Sequence, residues 1–241
     1  MTLDSIIFSN AGGRDHNEDS AGGHALKNDG GLFVLADGLG GHRFGELASK
    51  CVMDALLKSG SPAPDADAGE WLRSRIDSAN KQLLDLQTEK NAKMRSTLVS
   101  LMIRDGRACW AHIGDSRLYY IHRSAIAAIT ADHSVAYKKY KAGEITRAQI
   151  ATDEDQSSLL RVLGAKEQCK PSVSKSVALE PGDAFLLCSD GMWEYLLDDE
   201  VLVDLLKSDS AREWAALLLL RVMSRIQPGN DNLSLITVLV R

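Results

Sequence analysis

Long apolar runs are absent from this 241-residue chain. No stretch approaches the roughly 18 consecutive apolar residues of a membrane-spanning helix, so we expect no membrane span. The first residues, MTLDSIIFSNAGG, also lack the basic region and long apolar segment of a secretory leader. We therefore expect a cytoplasmic protein that does not associate with a membrane.

Cysteine is scarce, and none of the four cysteines is spaced as a CxxC pair. Histidine and cysteine at zinc-like spacing are missing too, which disfavours a tetrahedral zinc site. Three of the cysteines lie inside apolar runs, which predicts buried free thiols in a reducing compartment. Positive charge is in deficit, with 28 Lys and Arg against 33 Asp and Glu. A nucleic-acid partner needs a clustered basic face, so we expect none.

The remaining composition, 44% hydrophobic and 25% charged, is that of an ordinary globular protein. No internal repeat occurs, and hydrophobic periodicity predicts two helix pairs and several short strands. The predicted elements are helices at about 44–58, 70–88, 198–207 and 210–226, and strands at 97–103, 107–113, 117–122, DAFLLCS and LSLITVLV. Asp105-Gly106 predicts a hairpin turn. This order favours antiparallel sheets with helix pairs outside them over a doubly wound parallel sheet.

Four aspartates stand at the edges of apolar runs that read as strands. Asp37, Asp115 and Asp190 end the runs LFVLAD, ACWAHIGD and FLLCSD, and Asp231 comes just before LSLITVLV. A carboxylate at a strand end is held by a rigid scaffold while it faces a loop-lined cleft. Hard divalent cations such as Mg²⁺ and Mn²⁺ prefer oxygen ligands, so we expect the four side chains to converge on a metal site.

The motifs around these residues are RDHNEDS, LADGLGGH, CSDGMW and GNDN. A single Asp-Gly is most often a simple turn, and NEDS alone is typical of a solvated loop or a helix start. Carboxylates buried together repel one another by roughly several kcal/mol at a modest effective dielectric. They persist only if they are protonated or neutralised by cations, and a centre with two Mg²⁺ or Mn²⁺ ions is the simplest solution.

Seven segments together resemble a known family. They are RDHNEDS, ADGLGGH, MRSTLVSLMI, HIGDSRLYYI, TADHS, LCSDGMWEYL and GNDNLSLITVLV. In order and spacing they are similar to the metal-dependent protein phosphatases of type 2C, the PPM family, from about residue 5 to the C-terminus. The resemblance implies one catalytic domain over 1–241, an α+β fold with a four-layer α-β-β-α sandwich, and two antiparallel sheets flanked by helix pairs. It also implies that the polar section at about 134–157 is the flap beside the substrate cleft.

The resemblance divides the acidic residues between metal ions, which are Mn²⁺ or Mg²⁺. Asp37 would bridge two ions. Asp190 and Asp231 would complete the shell of one ion. Glu18, acting through water, and the carbonyl of Gly38 would hold the other.

Further residues take roles from the same resemblance. Asp115 would hold a third ion together with Asp190, as in bacterial relatives. Arg14 would bind the substrate phosphate, because its planar guanidinium suits two phosphate oxygens at once. Asp19 would orient the metal-bound water, and Asn232 would sit beside the site.

The implied reaction is hydrolysis of phosphoserine or phosphothreonine by a metal-bridging hydroxide. The hydroxide attacks phosphorus in line and the serine or threonine alkoxide leaves, so no phosphoenzyme and no nucleophilic cysteine is needed. The implied substrate is a phosphorylated protein, either a bacterial serine/threonine kinase or a target of one. We expect a monomer.

Departures from the family pattern fall in two places. Some eukaryotic relatives carry a histidine directly after the bridging Asp-Gly, which protonates the leaving group, whereas this chain has Leu39 there. His42 belongs to the bacterial GGH pattern and does not simply inherit that role; local packing at a helix start is the alternative. The segment TDEDQSSLLRVLG lacks the Arg-Asn element expected ahead of a helix at 157–163, which affects substrate preference.

Other polar residues of the motifs are expected to be structural. His133 in TADHS is predicted to hydrogen-bond rather than to catalyse, and Ser96 and Thr97 to pack or hydrogen-bond at a strand start. Two other functions stay open: a non-catalytic regulator that binds phosphoproteins or a kinase, and a small-molecule phosphatase on the same fold. Loss of metal ligands would indicate the first, and none of the expected ligands is missing.

Overall fold

The computed structural model describes residues 1–40, 44–63, 66–165, 167 and 169–241. The strands, in chain order, are β1 (Leu3–Asn10), β2 (Asp19–Leu26), β3 (Gly30–Leu39), β4 (Arg95–Ser96), β5 (Leu98–Arg104), β6 (Arg107–Ile113), β7 (Arg117–His122), β8 (Ala125–Ile129), β9 (Ser172–Val173), β10 (Val177–Ala178), β11 (Ala184–Cys188) and β12 (Leu233–Val240). The α-helices are α1 (Phe44–Leu57), α2 (Ala68–Lys90), α3 (Val135–Ala142), α4 (Asp190–Trp193), α5 (Asp198–Leu206) and α6 (Ala211–Met223), and a 3₁₀ helix covers Arg147–Thr152.

Two antiparallel sheets form the centre of the fold. One has the order β1-β12-β11-β7-β8, and the other has the order β10-β6-β5-β3-β2, with β4 paired to β3 and β9 to β6. Side chains alternate between the two faces of a strand. Phe33 and Leu35 of β3 therefore enter the layer between the sheets, whereas Leu32 and Val34 pack beneath α1 and α2. Because both faces of β3 are covered, its sequence is apolar at nearly every position.

The second helix pair, α5 and α6, covers the outer face of the other sheet. Trp214 of α6 is fully buried there, and its indole Nε1 donates to the carbonyl oxygen of Val201 at 3.1 Å. The core thus has three apolar layers, one between the sheets and one under each helix pair. The expected α-β-β-α arrangement is confirmed.

Local sequence signals account for several element ends. Asp67 caps α2 by accepting from the backbone N–H of Glu70 at 2.9 Å, and Ser210 caps α6 in the same manner. Asp105 and Gly106 both have positive φ, of 51° and 69°, as the tight hairpin turn between β5 and β6 requires.

The helix expected at 157–163 is wrong. Its backbone N–H groups bond to distant segments instead: Leu160 donates to His133 O at 2.7 Å and Leu163 to Ser96 O at 2.9 Å. Leu159 and Leu163 form isolated bridges with Ser134 and Ser96. A helix would need those N–H groups for its own carbonyls.

The polar section at 134–157 has regular structure that its composition did not predict. Helix α3 begins after the cap Ser134, and the 3₁₀ helix follows a turn at Gly143. Lys139 joins Asp153 at 2.9 Å and Asp155 at 2.8 Å, which ties α3 to the segment after the 3₁₀ helix. In the described ranges, no helix is both long and apolar enough to cross a membrane.

Candidate active site

The sheet topology brings the four strand-end aspartates together. β3 and β6 are both antiparallel to β5, so their C-terminal ends, which carry Asp37 and Asp115, lie at the same edge of one sheet. β11 is antiparallel to β12, so Asp190, which follows β11, lies near Asp231, which precedes β12. The pKa of Asp37 is raised well above its ordinary value by burial and by Asp190, Asp19, Asp115 and Asp231, which places these carboxyl groups in one electrostatic cluster.

Asp37 is fixed through its backbone. Its N–H donates to Thr97 Oγ1 at 3.0 Å, and its carbonyl oxygen accepts from Ser96 Oγ at 2.9 Å and from Thr97 N at 2.8 Å. Thr97 Oγ1 also lies 2.7 Å from Ser116 Oγ, in the loop that carries Asp115. The prediction that Ser96 and Thr97 hydrogen-bond at a strand start is confirmed, and both hold the backbone of Asp37.

Asp19 lies directly opposite Asp37 in the β2–β3 pair. It is buried, and its Oδ2 accepts a hydrogen bond from Ser189 Oγ at 2.8 Å. Burial and the charge of Asp190 raise the pKa of Asp19 to about 7. Asp19 therefore stands beneath the cluster as a carboxyl group that can hold or release a proton near neutral pH.

Two glycines allow β3 to meet the start of α1. A Cβ on Gly38 would lie 1.9 Å from the carbonyl oxygen of Gly45, and a Cβ on Gly45 would lie 2.5 Å from the carboxyl group of Glu18. The Gly38 N–H donates to Glu18 O at 3.0 Å, so the two residues predicted to serve one ion are neighbours. Burial and Asp231 raise the pKa of Glu18.

Asn232 ties the N-terminal loop to the start of β12. Its Nδ2 donates to the carbonyl oxygens of Ala11 and His16, both at 2.9 Å, and its Oδ1 accepts from the Glu18 N–H at 2.8 Å. Asn232 thus positions the segment that presents Arg14 and Glu18. The prediction had only placed it beside the site.

Arg14 reaches into the cluster from solvent. Its guanidinium Nη2 lies 2.9 Å from Asp231 Oδ2, and both side chains are about half exposed, at 54% and 44%. An arginine that approaches the carboxylates from the open side can meet an anion there with the fork of its guanidinium.

Asp190 begins the short helix α4. A Cβ on Gly191 would lie 2.1 Å from the carbonyl oxygen of Asn232, so only glycine lets α4 start against β12. The Gly191 N–H donates to Asp190 Oδ1 at 2.7 Å. Burial and Asp231 raise the pKa of Asp190 to about 6.

Asp115 lies deeper than the other aspartates. Its carbonyl oxygen accepts from Trp193 Nε1 at 3.0 Å. The ring Nδ1 of His133 accepts from the backbone N–H of Gly114 at 3.2 Å, and the backbone N–H of His133 donates to Gly114 O at 2.9 Å. Burial and the neighbouring His112 lower the pKa of His133 to about 3, so the ring is neutral and structural, as predicted. Burial and Asp190 raise the pKa of Asp115 well above its ordinary value.

These residues surround an open cavity of about 430 Å³. Its lining consists of Arg14, Asp15, His16, Glu18, Asp37, Gly38, Leu39, Gly40, Ser157, Asp190, Asp231 and Asn232. Asp19 and Asp115 support this lining from behind. Leu39 lines the cavity where some relatives carry a histidine, and His42 lies outside the described residues.

Oxygen ligands dominate this lining, which fits a hard divalent cation. In the described part of the chain, no three His, Cys, Asp or Glu side chains form a ready-made metal-binding group as they stand. Burial, and after it the charge of neighbouring aspartates, raises the pKa of Asp37, Asp190 and Glu18, so a cation among these carboxyl groups would favour their ionised form. The carboxylate and carbonyl oxygens of the lining, and the close approach of Gly38 and Gly45 to Glu18, therefore suit Mg²⁺ or Mn²⁺.

The sequence argument missed several residues of the site. Ser189 donates to Asp19, Trp193 donates to the Asp115 carbonyl, and Ser157 lines the cavity. Trp193 is also a buried core residue. No local pattern distinguishes these residues from ordinary packing or loop positions, because their contacts are made between distant segments.

The sequence model of protein phosphatase 2C matches residues 9–218. The chain belongs to the protein phosphatase 2C family. Within this family, it is 31% identical to the serine/threonine phosphatase stp of Listeria welshimeri over 232 residues, which cover 93% of this chain and 90% of that protein.

Solved structures of protein phosphatase 2C relatives share the fold. The serine/threonine phosphatase Stp1 from Staphylococcus aureus aligns with a TM-score of 0.89 and 30% identity, over 100% of this chain and 96% of that one. The catalytic domain of the serine/threonine phosphatase PstP, in complex with two manganese ions, aligns with a TM-score of 0.85 and 28% identity, over 99% of each chain. PstP is thus a similar protein whose solved structure contains two manganese ions.

Proposed function

We infer that this chain is a protein serine/threonine phosphatase, and we propose that it hydrolyses phosphoserine and phosphothreonine with two Mn²⁺ or Mg²⁺ ions. The observation that carries this proposal is the convergence of carboxylates from both sheets on one open cavity with Arg14 at its edge. Membership of the protein phosphatase 2C family and the named relatives support the reaction class.

The ligands that we propose follow the positions of the side chains. Asp37 would serve both ions, Asp190 and Asp231 one of them, and Glu18 with the Gly38 carbonyl the other. When bound, the ions would supply a water of lowered pKa and would offset negative charge on the phosphoryl oxygens. The buried Asp115 would act with Asp190 at a third ion.

The protein's own residues would orient the substrate and manage the proton. Arg14, which is half exposed beside Asp231, would turn from this carboxylate to the phosphate oxygens. Asp19, which accepts a hydrogen bond from Ser189 Oγ at 2.8 Å and lies opposite Asp37 in the β2–β3 pair, would orient the water that the ions hold. With Leu39 in the lining, the group that protonates the leaving oxygen stays open, and a water is the candidate.

We also propose that residues 1–241 form one catalytic domain in which 134–157 is a flap over the cleft. Ser157, at the end of this section, lines the acidic cavity, and Lys139 joins α3 to Asp153 and Asp155. These contacts support a flap whose own structure is ordered and whose end borders the substrate.

The biological role that we propose is reversal of a bacterial serine/threonine kinase, by a monomer in the cytoplasm. The substrate would be the kinase or one of its phosphorylated targets. Similarity to the bacterial phosphatases named above supports this role. Dephosphorylation of a kinase encoded beside the gene, together with sedimentation of the purified protein, would test both parts.

Turnover of a phosphothreonine peptide with Mn²⁺ tests the proposed chemistry. We expect activity that EDTA abolishes and that Asp37→Ala and Asp231→Ala each remove. Asp85→Ala, an exposed change on α2, is the matched control and should retain activity. Activity that survives EDTA or both site substitutions would refute the proposal, and hydrolysis of nitrophenyl phosphate without any phosphopeptide would indicate a small-molecule phosphatase.

A further inference from the structure

Two of the proposed metal ligands are carried by different sheets. Asp115 follows β6 of one sheet, and Asp190 begins α4 just after β11 of the other sheet. Strand hydrogen bonds fix residues only relative to other residues of the same sheet. The separation of these two carboxyl groups is therefore set by contacts between the loop after β6 and helix α4.

The two carboxyl groups disfavour each other's ionised form. Asp115 is 5% exposed, and burial, followed by the charge of Asp190, raises its pKa well above the ordinary value. Like charges at close range repel, so two ionised carboxylates here would push the loop and the helix apart. A structural contact that opposes this separation would keep both groups in place for a cation.

Trp193, the last residue of α4, makes such a contact. Its indole Nε1 donates to the backbone carbonyl oxygen of Asp115 at 3.0 Å, and the residue is only 3% exposed. Helix α4 has four residues, so a single turn carries one proposed metal ligand at its start and a hydrogen bond to another at its end. Because the acceptor is a backbone oxygen, this contact does not occupy the Asp115 carboxylate.

Arg117 holds the face of the Trp193 indole. Its guanidinium carbon lies 3.6 Å from the ring centroid, within the range of a cation–π contact. Asp132 fixes this guanidinium by accepting from Nε at 2.9 Å and from Nη2 at 2.7 Å, and both side chains are buried. A two-point pair of this kind sets the plane of the guanidinium as well as its position. The indole is thus fixed by Asp115 at its edge and by Arg117 at its face.

The Asp115 loop is separately fixed relative to Asp37. A Cβ on Gly114 would lie 2.7 Å from the Cβ of Thr97, whose hydroxyl oxygen accepts from the Asp37 N–H. The loop therefore packs directly against the residue that holds the Asp37 backbone. Trp193 joins this same loop to α4, so its contact links the Asp37 side of the site to the helix.

We propose that Trp193 is a positioning residue that presets the separation of Asp115 and Asp190 for a divalent cation. Arg117 keeps the Trp193 indole in place. This proposal rests on the proposed function, in which the two aspartates share an ion. Trp193 is not among the described residues that line the acidic cavity, so it would act only through these two ligands. Without its hydrogen bond, cation binding must also bring the loop and α4 together, and the affinity for the cation falls.

Trp193→Phe removes the indole N–H and keeps an aromatic ring that faces Arg117. Trp214→Phe is the matched control, because Trp214 is also buried and its Nε1 donates to Val201 O at 3.1 Å. Both changes delete one buried hydrogen bond, so both should lower the melting temperature in EDTA. In calorimetric titration with Mn²⁺ and without substrate, we expect Trp193→Phe to weaken, by about tenfold, the binding step that Asp115→Ala also weakens. Trp214→Phe should bind Mn²⁺ as the wild type does.

A double variant shows whether Trp193 acts through the Asp115 carboxylate. With Asp115→Ala the carboxylate is gone, so adding Trp193→Phe should change the Mn²⁺ affinity by less than about twofold. Additive losses of affinity in the double variant would show that Trp193 acts elsewhere and would overturn the proposal. Arg117→Lys keeps the positive charge but loses the two-point pair with Asp132. It should weaken the same binding step, and it decides the question if Trp193→Phe does not fold.

The remaining outcomes separate this proposal from the proposed function. Wild-type Mn²⁺ affinity in Trp193→Phe, or an equal loss of affinity in Trp214→Phe, would overturn the positioning role alone. An Asp115→Ala protein that binds Mn²⁺ as the wild type does would also overturn it. A wild-type protein that neither binds Mn²⁺ nor hydrolyses a phosphothreonine peptide would overturn the proposed function, and the positioning role with it.

Discussion

Asp19 and Asp37 face each other across the β2–β3 pair, and burial, Asp190 and Asp19 raise the pKa of Asp37 well above its ordinary value. Their pairing follows from strand register, since every residue of β2 from Asp19 to Leu26 has a fixed partner in β3. Like charges that face one another oppose folding. This pair therefore lowers the stability of the fold, although both residues belong to the proposed active site.

Asp37→Asn should therefore raise stability and abolish activity together. In EDTA, loss of one repelling charge should raise the melting temperature, by about 2–4 °C for each kcal/mol gained in a chain of this size. Phosphopeptide turnover should fall by at least about 10³-fold, or about 4 kcal/mol of transition-state stabilisation. Thermal unfolding and kinetics on one preparation check both effects. Asp85→Asn is the control, and a variant that is both less stable and inactive would contradict this account.

Arg14→Ala should weaken substrate binding and strengthen metal binding. Arg14 lies 2.9 Å from Asp231, so it competes with a cation for the same carboxylate. We expect KM for a phosphopeptide to rise about tenfold, the loss of a charge-assisted hydrogen bond, and Mn²⁺ affinity without substrate to increase. Calorimetric titration and steady-state kinetics measure the two effects. Arg73→Ala, an exposed change on α2, is the control, and weaker Mn²⁺ binding in Arg14→Ala would show that Arg14 supports the metal site instead.

Metal-free protein should lose stability as pH rises from about 4 to about 7. The pKa of Asp19 is raised to about 7 and that of Asp190 to about 6, whereas both are near 3.8 without the fold. The folded chain then binds more protons than the unfolded chain between these values, so the free energy of unfolding falls with rising pH. Thermal unfolding in EDTA measures this slope, and Asp19→Asn should make it shallower. A slope that Asp19→Asn leaves unchanged would assign the effect to other groups.

The sequence predicted the parts of this molecule that depend on local pattern. The apolar runs that lead to Asp37, Asp115 and Asp190 form strands, because continuous apolar sequence is typical of buried strands. The first strand includes Asp37, and the other two end just before Asp115 and Asp190. Helices α1, α2, α5 and α6 were predicted within a few residues for the same reason. The acidic cluster was predicted as well. Alternate strands of an antiparallel sheet end at the same edge, so aspartates at those strand ends lie close together.

What the sequence did not predict depends on contacts between distant segments. A helix was expected at 157–163 from the family pattern, yet Leu160 and Leu163 donate their N–H groups to His133 and Ser96. The ion pair of Arg147 with Asp198 is likewise not visible in the sequence, because the two residues are 51 positions apart. Such contacts between distant residues decide which charged side chains are paired, and no local sequence pattern indicates them.

Asp115→Ala should weaken turnover without abolishing it and should change its metal dependence. Asp115 lies behind the cavity, where Trp193 Nε1 and the His133–Gly114 contacts fix its loop, so it does not share the cavity floor with Asp37. We expect kcat to fall about tenfold and the Mn²⁺ concentration for half-maximal rate to rise, since one proposed ion loses a ligand while two keep theirs. Mn²⁺ titrations of activity and of melting temperature for Asp115→Ala and Asp37→Ala measure the difference. Asp115→Asn keeps the size of the side chain and should match Asp115→Ala if charge is the cause. Equal effects of the Asp115 and Asp37 substitutions on both titrations would contradict the division of roles between these two aspartates.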